Sequence, residues 1–137
     1  MGACRGSGGD AGQSPLERSL EAYAAPIDPA KTGASFRALS ARLRYGIEAN
    51  LRPDATFLEY ARAGRKLQRE WSTRSQVSGR KIRILSEVED GVVTHTVKEK
   101  NKVLLKTTDK NRVANKVAEF YQQEDRALER ERKKRRS

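Results

Sequence analysis

The chain has very little of what site chemistry most often depends on: one cysteine, one histidine, one tryptophan and one methionine in 137 residues. A single thiol, Cys4, allows no internal disulfide, which excludes a disulfide-stapled secreted scaffold and fits a reducing compartment. Cys4 and His95 cannot furnish the three or four nitrogen and sulfur ligands of a zinc site, and the carboxylates show no metal-loop spacing, so no metal is expected. Neither a phosphate-binding glycine loop nor a nucleophile elbow is present, and no cofactor is expected. Apolar runs are only a few residues long, far short of the ~20 needed to span a bilayer. The first residues lack the apolar core of a signal peptide and the arginine-rich character of a transit peptide. These absences point to the cytoplasm or nucleus, or to the periphery of a membrane.

What the chain has is positive charge, with 29 lysines and arginines against 18 acids. Residues 1–35 carry three cations and four acids, whereas residues 36–79 carry nine against four. Residues 80–108 carry seven against four, and residues 109–137 carry ten against six. The excess therefore lies on the predicted structured elements and the C-terminal tail. Such an excess concentrates polyanions near the protein and speeds encounter with them.

Residues 1–13 hold five glycines and little that can be buried, the composition of a flexible leader. Ser14, Pro15 and Glu17 then supply a helix start, with Leu16, Leu20 and Tyr23 on one face and a stop before Pro26. Two prolines and a glycine in residues 26–33 read as a linker. Ser35 caps a predicted second helix to about Asn50, carrying Phe36, Leu39, Leu43 and Ile47. Pro53 and Asp54 start a predicted third helix with the stripe Phe57, Tyr60, Ala61, Gly64, Leu67 and Trp71. On that helix Arg62, Arg65, Lys66 and Arg69 fall together on a separate, cationic side.

The period changes after Gly79. Ile82, Ile84, Val88, Val93 and Val97 alternate around Asp90-Gly91, a favoured two-residue hairpin turn that pairs Val88 with Val93, Ser86 with His95 and Ile84 with Val97. A third strand over 103–107 follows through the Lys100-Asn101 turn. A last helix starts near Thr108-Asp109 with Val113, Val117, Phe120, Tyr121 and Leu128 as its stripe, and i,i+4 charge pairs allow helix to continue past it.

The run Arg132 to Arg136 is the densest local signal, since charge blocks of this kind are commonly interaction tails. Condensing them on phosphates releases counterions and makes binding salt-sensitive. Lys133-Lys134-Arg135-Arg136 also fits a short nuclear-import run. Arg62, Arg65 and Arg69 at i, i+3, i+7 suit guanidinium contacts along a nucleic-acid backbone. Helices followed by a hairpin make an order similar to that of winged-helix DNA readers, but the tip Glu87-Val88-Glu89-Asp90 is acidic and opposes a wing lying on phosphates. Met1-Gly2-Ala3-Cys4 resembles the start of dual-acylated peripheral proteins, which would make Gly2 and Cys4 lipidation sites, although the pattern M-G-x-x-x-[ST] is broken at Gly6. His95 has no second histidine to work with, and its place opposite Ser86 reads as a hydrogen-bonded, partly buried side chain, not a catalytic one.

These readings converge on an α+β domain: a three-stranded antiparallel meander packed with three to four helices, between a flexible N-terminal leader and a basic helical tail. The expected division is residues 1–34 as leader, short helix and linker, 35–128 as the domain and 129–137 as the tail. The expected function is non-catalytic: a structural or accessory subunit of a ribonucleoprotein or other nucleic-acid assembly, with no catalytic residues. Phosphates, RNA foremost, would be gripped by Arg62, Arg65, Lys66, Arg69, Arg130, Arg132, Lys133, Lys134, Arg135 and Arg136. The competing expectation is a scaffold or adaptor on an acidic protein or an anionic membrane, with the N-terminus acylated.

Overall fold

The computed structural model describes residues 14–76 and 78–136. In chain order the elements are α1 (Pro15–Ala24), a 3-10 turn (Pro29–Lys31), α2 (Ala34–Ala38), α3 (Ala41–Leu51), α4 (Ala55–Arg62), β1 (Leu67–Arg74), β2 (Lys81–Glu89), β3 (Val92–Glu99), β4 (Lys102–Thr107) and α5 (Lys110–Arg136). The class is α+β, as expected, but the antiparallel sheet has four strands in the order β1-β2-β3-β4. The expected leader, with Gly2 and Cys4, lies outside the described residues.

The fourth strand comes from the second half of what the sequence reads as the third helix. Gly64, at φ +72, ends α4. Arg65 N–H donates to the Tyr60 carbonyl at 2.9 Å and Gly64 N–H to Ala61 at 3.1 Å, a Schellman stop that needs a left-handed residue at Gly64. Beyond it Leu67, Arg69, Trp71 and Thr73 alternate toward Val88, Ser86, Ile84 and Ile82 of β2. Leu67 and Trp71, four apart, satisfy a helical period and a period of two equally well. The pairing chosen is the one that lets them join the sheet, so the cationic helix face formed by Arg62, Arg65, Lys66 and Arg69 does not exist.

The predicted second helix is likewise two helices. Leu39 is extended, and Ser40 caps α3 by accepting from Leu43 N–H at 3.4 Å. Its apolar positions still reach the core, because Phe36, Leu39 and Ile47 are all buried. The hairpin has the expected register, with Val88 opposite Val93, Ser86 opposite His95 and Ile84 opposite Val97. Asp90 and Gly91 have φ of 53 and 79, as a two-residue type I′ turn demands. The φ of Gly91 favours glycine, and a Cβ there would also push aside the Leu16 side chain, whose Cδ1 lies 1.8 Å from that position.

Two apolar clusters join the sheet to the helices. Ile82, Ile84 and Val97 pack with Phe36, Leu39, Ile47 and Leu51 and with α5 through Val113, Val117 and Phe120. Val88 and Val93 pack with Leu20 and Tyr23 of α1 and Phe57 and Ala61 of α4. Of the segment read as leader and linker, the described part thus supplies Leu20, Tyr23 and Ile27 to the core. Lys110 fixes this region: its buried ammonium donates to the Tyr23 and Ala25 carbonyls at the end of α1, and Asp28 N–H donates to Asn111 Oδ1 at 2.9 Å. No helix among the described residues is long and apolar enough to cross a membrane.

Candidate polyanion-binding surface

Every sheet residue in the two clusters belongs to one face, so the described helices cover that face and leave the other uncovered. The alternation that buries Ile82 and Ile84 sends Lys81, Arg83 and Leu85 to the uncovered side. Register extends this side across the sheet: Arg74 pairs with Lys81, Arg83 with Lys98, and Thr96 with Lys106. The open face therefore carries Arg74, Lys81, Arg83, Lys98 and Lys106, interleaved with Ser72, Thr94, Thr96 and Leu85, and with Glu70, Glu87, Glu89 and the exposed Val92 and Val103 toward the hairpin end and the β4 edge. No aromatic ring occupies any of these positions. Arg83 is tied to Glu70 at 2.8 Å, whereas Lys81, Lys98 and Lys106 make no ion pair among the described residues.

The cations are not spread evenly along the strands. One end holds the β1–β2 connection and the β3–β4 turn, with Arg74, Arg80, Lys81, Lys100 and Lys102; the other holds the acidic hairpin Glu87, Glu89 and Asp90. Helix α5 runs toward the basic end. Glu124 there is 4 % exposed, accepts from the Ser78 hydroxyl and lies 3.5 Å from Arg80. Arg80 also makes a two-pronged pair with Glu99, at 2.9 and 2.8 Å. The bond to Arg80 holds the Glu99 carboxyl below the usual carboxylate range, and the same pair raises the Arg80 guanidinium. Burial alone would push the Glu124 carboxyl up, but hydrogen bonds from Ser78 and Ser75 and the nearby Arg80 outweigh it and hold it ionised. Beyond this anchor, α5 continues as exposed helix to Arg136, roughly 18 Å further at 1.5 Å per residue.

The residues singled out in the sequence thus fall into two separated groups. Arg130, Arg132, Lys133, Lys134, Arg135 and Arg136 project on the exposed end of α5, beyond its anchor at the basic end of the sheet. Arg62, Arg65 and Lys66 lie at the opposite end of the sheet, about the length of β1, or roughly 23 Å, from its basic end. There Lys66 faces Glu89 at 3.6 Å and Arg65 lies 5.3 Å over the Tyr60 ring. Arg69 turns to the covered side, 2.6 Å from Asp54 and over the Phe57 ring. Its guanidinium holds the Asp54 carboxyl below its ordinary range. Arg69 therefore ties β1 to the cap of α4 and is not in line with the others.

Sequence reasoning missed Arg74, Lys81, Arg83, Lys98 and Lys106. The signal that finds them is the polar half of each strand's alternation, which carries the open face as surely as the apolar half carries the core.

His95 is fully buried, its Nδ1 2.8 Å from Ser86 Oγ and its ring stacked on Tyr23 at 5.1 Å. Burial, with Lys110 nearby, pushes its pKa down to about 4, so the imidazole is neutral in the folded protein. No cluster of metal-ligating side chains occurs among the described residues. No protein-family profile, curated protein or solved structure matches the chain.

Proposed function

We propose that the protein is a non-catalytic, RNA-binding subunit of a ribonucleoprotein or related nucleic-acid assembly that grips the phosphate backbone of a folded RNA. The observation that carries this reading is the uncovered sheet face, where Lys81, Lys98 and Lys106, without an ion pair among the described residues, lie on the same side of the fold as Ser72, Thr94 and Thr96. Hydroxyls among cations suit phosphate and 2′-hydroxyl contacts, and a face without rings has nothing on which to stack splayed bases. The exposed end of α5 adds a second cationic element from the basic end of the sheet. Recognition of this kind follows shape and charge, with little sequence preference.

Fluorescence anisotropy with a hairpin RNA across a range of salt tests the reading. The expected result is tight binding at low salt that falls linearly in log Kd against log salt, with a slope set by the phosphates neutralised. Weak binding that ignores salt, or equal affinity for a neutral polymer, contradicts it.

A further inference from the structure

The β1–β2 connection carries two serines in different settings. Ser75 is 5 % exposed and closes the turn, its carbonyl accepting from Gly79 N–H at 3.0 Å. Ser78 is exposed, and its hydroxyl donates to Glu124 of α5. Around Ser78 is a cleft of about 470 Å³ whose charged lining is Arg74, Arg80, Lys81, Arg83 and Lys100, with Glu99 as its one carboxylate. Ser78 is an exposed residue in a short connection, with Arg74 before it and Arg80 and Lys81 after it, the chemistry a base-directed protein kinase recognises, although its hydroxyl is engaged by Glu124 and accepts from Arg80 N–H at 3.2 Å. The same hydroxyl is one of the bonds that fasten α5 to the sheet.

We propose that Ser78 is a phosphorylation site whose modification loosens the distal part of α5 and neutralises the basic end of the sheet. The Ser78 oxygen attacks the γ-phosphorus of ATP, the bond from that phosphorus to the β–γ bridging oxygen breaks, and ADP leaves. The serine proton passes to the kinase's catalytic carboxylate. A donor to Glu124 is thereby replaced by a group carrying about −1.5 to −2 charges at neutral pH, which repels that carboxylate. The new phosphate is instead drawn to Arg74, Arg80, Lys81 and Lys100, where it competes with the phosphates of a bound nucleic acid. The loosening of α5 stands on the Ser78–Glu124 contact alone; the loss of RNA binding rests on the function proposed above.

The test uses the full chain with MgATP and a base-directed kinase, with the modified residue located by mass spectrometry. Phosphate is expected on Ser78 and absent from Ser78→Ala, which circular dichroism should show to be folded. Amide exchange over residues 125–136 should quicken on phosphorylation, whether or not RNA binds. In parallel, affinity for a hairpin RNA should fall about tenfold and the salt slope should shrink by about two. Failure of the unmodified chain to bind RNA would overturn the functional reading, while faster exchange would still support the switch. The switch is overturned if Ser78 of the intact chain stays unmodified while the kinase acts on a control peptide. Unchanged amide exchange after stoichiometric modification overturns it equally.

Discussion

The two faces of the sheet are made by the same strands and obey different rules. On the covered face Ile82, Ile84, Val88 and Val97 are fully buried, and the one polar ring among them, His95, is bonded to Ser86. On the open face the intervening residues are lysines, arginines, hydroxyls and carboxylates, with Leu85 among them, and no helix among the described residues lies above them. The covered face should therefore govern stability, and the open face association, with little exchange between the two. Net charge alone does not make this distinction. It depends on which cations already have a carboxylate, and at the hairpin end Lys66 and Arg69 do.

The largest departure should come from the covered face. Ile84→Ala removes packing at a fully buried site in the cluster the sheet shares with α3 and α5, and should lower stability by about 3 kcal/mol in chemical denaturation while leaving RNA affinity of the folded protein unchanged. A drop in affinity with intact fold would show that the faces are coupled.

Acid should act through the same face. His95 titrates at about 4 when folded against an ordinary value of 6.5. Its lowered value means that the unfolded chain takes up a proton more readily than the native one. The stability due to this neutral ring is complete above about pH 6.5 and is lost progressively as pH falls toward 4, up to roughly 3 kcal/mol. His95→Gln, compared with the parent in urea titrations at pH 7 and pH 4.5, should lose less stability between those values. An equal loss in both proteins would assign the acid sensitivity to other groups.

On the open face, Lys81→Ala/Lys98→Ala/Lys106→Ala should weaken hairpin-RNA binding by about a hundredfold near physiological salt and reduce the salt slope by about three. Its denaturation midpoint should stay close to the parent's, since exposed substitutions typically alter stability by less than about 0.5 kcal/mol. The smallest effect belongs to the hairpin end. Arg62→Ala/Arg65→Ala/Lys66→Ala should change affinity by no more than about threefold, and a loss equal to that of the open-face variant would move the binding surface to that end.

Much of the covered face was legible in the sequence because burial leaves a one-letter trace. The alternation of Ile82, Ile84 and Val88 with the Asp90-Gly91 turn fixes both strand and register, and Ser86 opposite His95 follows by counting. The stripe of α5 was equally plain. What misled was the stretch 64–74, where Gly64 could be read as a tolerated small residue on a helical stripe. The deciding fact, the left-handed stop at Gly64, is a backbone property that only the surrounding contacts reveal. Once that stretch is a strand, Arg69 turns from a cationic stripe to Asp54, and Arg62, Arg65 and Lys66 separate from the tail. The open face escaped notice for a related reason: its cations are scattered over four strands and converge only through the pairing of Arg83 with Lys98 and Thr96 with Lys106.

Lysine footprinting of the full chain, with and without a saturating hairpin RNA, tests the assignment of the binding surface most directly. Amine acylation followed by mass spectrometry should show Lys81, Lys98 and Lys106 strongly protected by RNA and Lys66 modified to the same extent in both states. Protection of Lys66 with Lys81, Lys98 and Lys106 left reactive would contradict the account.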